Sequence, residues 1–358
     1  KHPHQAVMAY ERALAMSPGD PVILRELADV YDSFGDTEMA ALYRSQAGRG
    51  EIFQPTGGGG GERFRSSAVL RMGAFYDGNA NSGLDSGSVT LGNWRVTLDG
   101  AEKIDGGGVY LGGQYDSENR ISDGGAWHIT LGGAFSARYA AGDGLGDIGR
   151  RFSQWYRASL GLRRRTERNV FDARLFGEIS DYDFYDTVYV HGLETAFAHA
   201  VTPRLHLIST AAISGRRYVR STGQSGTYGY IGEYARFFFG RDAHEFTLGG
   251  RLYMGDAKSA RYTYDGWEAS ASFRFKLKNG YEILPGVTYA EESYDAPASA
   301  LESDRRRDER IIWNLGVIKQ LNKTKRLELN YQYTDNSSNS ELHSYDRHFI
   351  SMGAAWIF

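Results

Sequence analysis

Histidine, serine and acidic side chains are the groups in this chain best suited to acid–base, nucleophilic or metal chemistry. Their spacing supports none of these. The nine histidines are His2, His4, His128, His191, His199, His206, His244, His343 and His348. No His-Glu-x-x-His pair among them sets two imidazoles on one helical face around zinc. No Gly-x-Ser-x-Gly turn presents a serine nucleophile. The absence of cysteine excludes thiolate ligands, a Cys nucleophile and disulfides. Gly142–Gly149 contains Gly-Asp-Gly-Leu-Gly-Asp, but no Lys-Ser/Thr follows to hold a phosphate. An outward turn is expected there rather than a cation site. His343, Ser344 and Asp346 lie close together, yet no third partner orients a base toward the hydroxyl. They read as a solvated loop. The reading assigns no catalytic residue, no metal ligand and no cofactor.

A second set of charges has a regular position. Arg174, Glu178, Glu194, Glu245, Arg251, Glu268, Arg274, Arg326 and Glu328 each fall on the polar side of a segment whose other side is apolar. Both signs are mixed. A narrow ion-selective pore would favour one sign. Mixed signs suit a cross-braced wall, or a passage for a large and varied substrate. The run Asp304-Arg305-Arg306-Arg307-Asp308-Glu309-Arg310 reads as a solvated loop able to meet lipopolysaccharide phosphates.

The elements that position these charges are strands. From residue 66 to 358 the apolar period is two. Phe246, Leu248, Leu252 and Met254 oppose Glu245, Thr247, Arg251 and Tyr253. Trp267, Ala269, Ala271, Phe273, Phe275 and Leu277 oppose Glu268, Ser270, Ser272, Arg274 and Lys276, and Leu327, Leu329, Tyr331 and Tyr333 oppose Arg326, Glu328, Asn330 and Gln332. Such alternation gives one oily and one wet face. Similar segments recur near 67–77, 88–99, 106–117, 126–140, 151–164, 169–180, 187–199, 204–216, 227–239, 281–294, 309–320 and 343–358. Tight turns near 166–169, 201–203, 240–242, 278–280 and 322–324 contrast with longer loops at 221–226, 295–308 and 335–343. Short turns on one side and long loops on the other are the signature of an outer-membrane barrel. A soluble sandwich would use strands of about 5–6 residues around a dry core. Aromatics near strand ends (Tyr228, Tyr230, Phe237–Phe239, Tyr262, Tyr264, Tyr289, Tyr294, Trp356, Phe358) suit two interfacial girdles. The pattern yields 15 segments. Barrels of this kind use even numbers, so the expectation is an antiparallel transmembrane barrel of 14 strands, with 16 as the alternative. The surplus segment is placed before residue 126, and 67–77 is allowed as a plug or approach strand.

Composition agrees. A net charge of −3 leaves no basic excess for nucleic acid. The mean hydropathy of −0.47, with no run of 18 apolar residues, excludes a transmembrane helix but not a membrane strand. The chain opens Lys1-His2-Pro3-His4 without Met or a signal-peptide pattern, and reads as a piece of a longer or processed chain.

Residues 1–50 have helical spacing instead. Ala6, Tyr10 and Ala13 precede a stop at Pro18. Leu24, Leu27, Ala28 and Tyr31 form a second stripe, and Ala40 and Ala47 mark a third. Ala6 and Ala40 lie 34 positions apart, as do Ala13 and Ala47. With small residues where helices cross, this resembles the tetratricopeptide repeat. An array needs about three repeats, so more are expected before residue 1. The unbroken glycines 57–61 mark a linker over 51–65, and the barrel is assigned to 66–358.

The chain ends Ser351-Met352-Gly353-Ala354-Ala355-Trp356-Ile357-Phe358. Ser351, Gly353, Trp356 and Phe358 match the pattern by which the barrel assembly machinery recognises a last strand. Helical repeats joined to a barrel, with Tyr76-Asp77-Gly78-Asn79-Ala80-Asn81-Ser82 at the barrel entrance and Asn336-Ser337-Ser338-Asn339 followed by Ser344-Tyr345-Asp346-Arg347 near its end, resemble the surface lipoprotein assembly modifier family. The resemblance implies a 14-stranded barrel that helps deliver lipoproteins or secreted protein cargo, with the repeats gathering cargo in the periplasm. The expected partners are outer-membrane lipid, the barrel assembly machinery and that cargo. An exopolysaccharide exporter is the alternative. It would need aromatic sugar-stacking platforms and one-signed lumen charge. A general small-solute porin is third.

Overall fold

A computed structural model describes residues 64–79, 88–91, 94–97, 103, 105–121, 126–141, 150–166, 168–182, 186–240 and 244–358. The expected repeat helices of 1–50, with Ala6, Tyr10, Ala13, Pro18, Leu24, Leu27, Ala28, Tyr31, Ala40 and Ala47, lie outside the described residues. So do the glycine linker and the 142–149 turn.

Fourteen antiparallel strands close on themselves. They are β1 (Phe64–Asp77), β4 (Gly106–Arg120), β5 (Trp127–Ala141), β6 (Arg150–Arg165), β7 (Asn169–Tyr182), β8 (Asp186–Thr202), β9 (Leu205–Tyr218), β10 (Gly226–Phe239), β11 (His244–Ala257), β12 (Tyr264–Lys276), β13 (Tyr281–Tyr294), β14 (Arg307–Asn322), β15 (Lys325–Ser338) and β16 (Tyr345–Ile357). Each pairs with its neighbours in sequence, and β1 closes the cylinder against β16. A strand of 14 residues such as β1 climbs about 35 Å at the usual tilt. That exceeds the ~25 Å apolar band of a membrane barrel, so the strand ends project past the lipid.

Two expectations are corrected. The segment 88–99 is not one strand. It holds β2 (Ser88–Leu91) and β3 (Trp94–Thr97), which pair only with each other. Arms of four residues reach about 13 Å, too short to cross, and Gly92-Asn93 between them is a turn sequence. This is the surplus segment. Residues 67–77 are not a plug: they belong to β1, hydrogen-bonded on both edges. With 88–99 removed and 67–77 retained, the count is 14 and not 16.

The connections fall into two sets. At one end, both β1 and the chain terminus Phe358 meet short links such as 203–204, 277–280 and 323–324. At the other lie 78–105, 219–225, 258–263, 295–306 and 339–344. These are called the turn end and the loop end. Leu277 N donates to Tyr281 O at 2.8 Å, closing a turn through Asn279 (φ 61°) and Gly280 (φ 72°). Asn-Gly tolerates those left-handed angles, whose twist matches paired strands.

Candidate functional site

The two faces of the wall differ by parity. On β7, Leu175 and Ile179 are exposed, while Asp172, Arg174 and Glu178 take the opposite side. The same division runs through β11, where Leu252 and Met254 stand 60% and 64% exposed, opposite Arg251. Which side is interior follows from reach. Side chains on the convex wall diverge, so only those on the concave wall can bridge strands that are not neighbours. Arg174 of β7 lies 3.7 Å from Asp116 of β4, Arg157 of β6 2.6 Å from Glu194 of β8, and Arg71 of β1 3.5 Å from Glu328 of β15. The charged face is the lumen and the apolar face is the belt. Aromatics ring the belt near both ends. Phe64, Trp127, Phe171, Phe237 and Tyr281 stand toward the turn end, and Tyr76, Tyr139, Phe152 and Trp267 toward the loop end.

All nine charged residues expected in the lumen take part in ion pairs. Glu178 and Glu194 share Arg157, at 2.5 and 2.6 Å. Arg174 holds Asp172 at 2.7 Å. Glu245 meets Arg236 (3.1 Å), Arg251 meets Glu268 (2.9 Å), Arg274 meets Glu282 (3.2 Å) and Arg326 meets Glu328 (2.6 Å). A paired wall presents little net charge of either sign. The pairs of Arg157, Glu245, Arg251 and Arg274 bridge strands, which braces the cylinder, while Arg174–Asp172 and Arg326–Glu328 lie along single strands. Along β8 and β9 the inner face changes character: Gly192, Ala196, Ala198 and Ala200 face Ser214, Thr210, Ile208 and His206. That sector is lined mostly by short side chains.

Sequence reading misses a buried part of the network. Near the turn end, Glu118 is 7% exposed and accepts from Arg163 Nη1 (3.1 Å) and Arg165 Nη2 (2.8 Å), with His128 Nε2 at 3.5 Å. Arg163 also grips Asp172, which holds Arg174. The chain of contacts Arg165–Glu118–Arg163–Asp172–Arg174–Asp116 alternates three cations with three carboxylates. Glu118 lies just past the expected strand 106–117, which stops three residues short of the end of β4 at Arg120.

Several expected girdle tyrosines face the other way. Tyr228, Tyr230, Tyr264 and Tyr294 share the inward parity of Arg236, Arg274 and Glu292, so they line the lumen near the loop end. Tyr262 lies in a short 3-10 turn, Ala260–Tyr262. Phe238 is buried on the inner side, between outward Phe237 and Phe239. Two-residue periodicity separates the faces but does not name the inner one, and aromatics occupy both.

The seam between β1 and β16 gathers the terminal motifs. Their register runs Val69–Asp77 against Phe349–Ile357. These nine pairs are the fewest of any barrel neighbours, and β1 makes 14 with β4. Gly73 and Gly353 stand directly opposite. A Cβ on Gly353 would run into the Tyr110 hydroxyl and the Met72 carbonyl. The missing side chains let Tyr110 lie over the joint. Ser351 shares Gly353's inward face, whereas Trp356 and Phe358 face outward with Ile350 and Met352.

At the loop end the seam is clamped. Arg347 Nε donates to Asp77 Oδ1 at 2.8 Å, and its Nη2 contacts Oδ2. The Asn79 amide caps the same carboxylate at 3.2 Å, and its side chain donates to the Asp346 carbonyl at 2.8 Å. Gly78 N reaches His348 O at 2.8 Å, and Lys103 pairs with the Asp346 carboxylate. The entrance motif Tyr76–Asn79 and the motif Ser344–Arg347 are thus two halves of one lock, 267 positions apart at the Asn79–Asp346 contact.

The loop-end rim is ordered by its polar groups. Ser344 Oγ accepts from Ser338 N (3.0 Å) and donates to Ser338 O (3.2 Å). Asn336 holds the His343 carbonyl at 2.7 Å. Ser344 therefore closes its own loop while Asp346 serves the seam, and the three rim residues assemble no nucleophile–base pair. Burial, with Arg306 beside it, pushes the His343 imidazole down to about 4. The charge run is not simply solvated: Arg306 is bidentate on Asp308, which is 3% exposed, and Arg310 reaches Glu292 at 2.9 Å. Among the described residues no group of three His, Asp or Glu is arranged to hold a metal ion.

A closed 14-stranded barrel with an apolar belt, two aromatic girdles and a polar braced lumen has the build of an outer-membrane protein. The chain belongs to the surface lipoprotein assembly modifier family, whose sequence profile matches residues 153–358. No curated protein matches the chain in sequence. Among solved structures it is similar to the Pseudomonas putida toluene transporter TodX, at 9% identity and a TM-score of 0.44, covering 86% of this chain and 93% of that one. The outer membrane channel DcaP of Acinetobacter baumannii aligns at 12% identity and 0.43, covering 82% and 97%. A bacterial polysaccharide outer membrane secretin aligns at 11% and 0.42, covering 81% and 97%.

Proposed function

We propose that this chain is an outer-membrane assembly factor or translocon that helps deliver lipoproteins or secreted protein cargo to the cell surface. The observation that carries the reading is the family match over 153–358, which spans the barrel from β6 to β16. The turn end faces the periplasm, where the repeat helices of residues 1–50 gather cargo, and the loop end faces outward. The barrel assembly machinery recognises Ser351, Gly353, Trp356 and Phe358 as the barrel is built.

The lumen supports this reading over selective transport. The nine charges expected there are each paired and mix both signs, so no one-signed field runs the length of the wall to select an ion or an acidic polymer. The nine paired residues brace the wall, and the short-chain sector on β8 and β9 leaves one side free for a passing segment. Polysaccharide export, the second reading, has one observation in its favour: lumen-facing tyrosines. Most of them gather near the loop end, with Tyr234 of β10 and Tyr110 of β4 deeper along the wall.

The test is reconstitution of the full-length protein in liposomes with a candidate lipoprotein, encoded beside it, enclosed inside. Protein-dependent exposure of that lipoprotein to external protease is the expected result. Equal protection with and without the barrel refutes the proposal.

A further inference from the structure

The lumen-facing tyrosines enclose a pocket of about 180 Å³ just beneath the loop end. Its walls come from β9 to β13 and the turns above them. Two arginines face it, and they differ. Arg306 stacks on Tyr294 (4.1 Å) and is neutralised by the bidentate carboxylate of Asp308. Arg216 stacks on Tyr228, its guanidinium carbon 3.9 Å from the ring centre. Among the described residues it has no carboxylate within ion-pairing distance. That sets it apart from Arg157, Arg163, Arg174, Arg251 and Arg310 of the same lumen, which are all paired. A half-buried cation without a counterion has affinity to spare for an anion.

The remaining walls favour a ring. Tyr264 and Tyr294 lie 5.3 Å apart between centroids, tilted by 41°, and Tyr228, with Arg216 stacked on one of its faces, lies beside them in the lining. Aromatic faces are electron-rich and attract polarised C–H edges such as those of a pyranose. Gln224 and the phenolic hydroxyls supply donors and acceptors for sugar hydroxyls. The volume falls below the ~300–1,000 Å³ that encloses a whole drug-sized ligand, so the pocket takes one ring or the end of a chain.

We infer that this pocket binds an acidic sugar unit, with its carboxylate or phosphate on Arg216 and its ring against Tyr228 and Tyr264. The inference is independent of the cargo reading. A single site at the mouth tethers the barrel to a surface glycan or free sugar whatever the lumen passes.

The experiment uses the full-length protein in detergent, with glucuronate and glucose as probes, read by saturation-transfer NMR on the sugar ring protons. Glucuronate is expected to bind at least tenfold tighter than glucose, as one charge-assisted hydrogen bond implies. Arg216→Gln should abolish that preference and leave glucose binding unchanged. Tyr264→Leu should weaken both sugars. Unaltered heat-modifiable migration on gels shows that each variant folds, and Arg217→Gln, on the opposite face, is the control. Equal binding of the two sugars, no saturable binding of either, or an unchanged preference in Arg216→Gln overturns the inference. So does tighter binding of a triglutamate peptide, which would make this an acidic-peptide site. Competition with a deacylated, phosphorylated lipopolysaccharide core separates the sources within the inference: displacement at lower concentration assigns a membrane glycolipid, and none assigns a free acidic sugar.

Discussion

Replacing Arg347 by Gln should loosen the β1–β16 seam selectively. Asp77 is 4% exposed and its carboxylate accepts from Arg347 and from the Asn79 amide. Removing one partner of a fully buried pair costs about 3–5 kcal/mol. Arg347 retains a third of its side-chain exposure, and the Asn79 amide remains, so about 2 kcal/mol is the expected loss. That loss falls on the neighbour pair with the fewest register partners. It should raise the amide exchange of Gly73–Asp77 and Phe349–Ser351 about 30-fold at pH 7. Amides of β8 to β11, on the far side of the cylinder, should not change. The double variant Asp77→Asn/Arg347→Gln leaves no buried charge unpaired and should recover at least half of the loss. Hydrogen exchange by mass spectrometry on the lipid-reconstituted protein reads all three. Uniform acceleration across the barrel, or a double variant that loses the sum of two single losses, refutes the lock.

Three further outcomes are expected. Glu118→Gln removes the charge shared by Arg163 and Arg165 and should cost about 1–3 kcal/mol; urea unfolding in lipid vesicles measures it, and no shift of the midpoint contradicts the hub. Asn279→Ala places a Cβ residue without a compensating amide at φ 61° and should cost about 1 kcal/mol, whereas Asn279→Gly should be close to neutral; the same unfolding assay compares them. His343, pushed down to about 4 against an ordinary value near 6.5, stays neutral when folded while the unfolded chain takes a proton. Its contribution is therefore full above pH 6.5, declines as pH falls toward 4, and is flat below. Screening at this half-buried rim holds the total to about 1–2 kcal/mol. A histidine titration by NMR that places His343 near 6.5 contradicts the burial argument.

Much of this fold is legible because a membrane barrel writes its two environments in alternation. Arg251 and Leu252 follow one another and meet opposite surroundings, so a simple count of odd and even positions separates lumen from lipid. The 88–99 segment alternates as well, and only its pairing shows that it never joins the wall. Alternation has no sign of its own, which is why Tyr228, Tyr264 and Tyr294 read equally well as girdle or lumen. Strand ends are the weakest part of the pattern: Glu118 lies just past the expected strand 106–117. In the sequence, the lock between Asp77 and Arg347 is visible only as two short motifs near the first and last strands of the barrel segment. Closure of the sheet brings them together, and nothing local in either motif announces the other.

Protease shaving of intact cells tests the delivery account most directly. Cells carrying the lipoprotein or secreted candidate encoded beside this chain are compared with and without the full-length protein. The account predicts that the candidate becomes protease-accessible only when the protein is present. A candidate that stays protected in both strains, or is exposed in both, contradicts it.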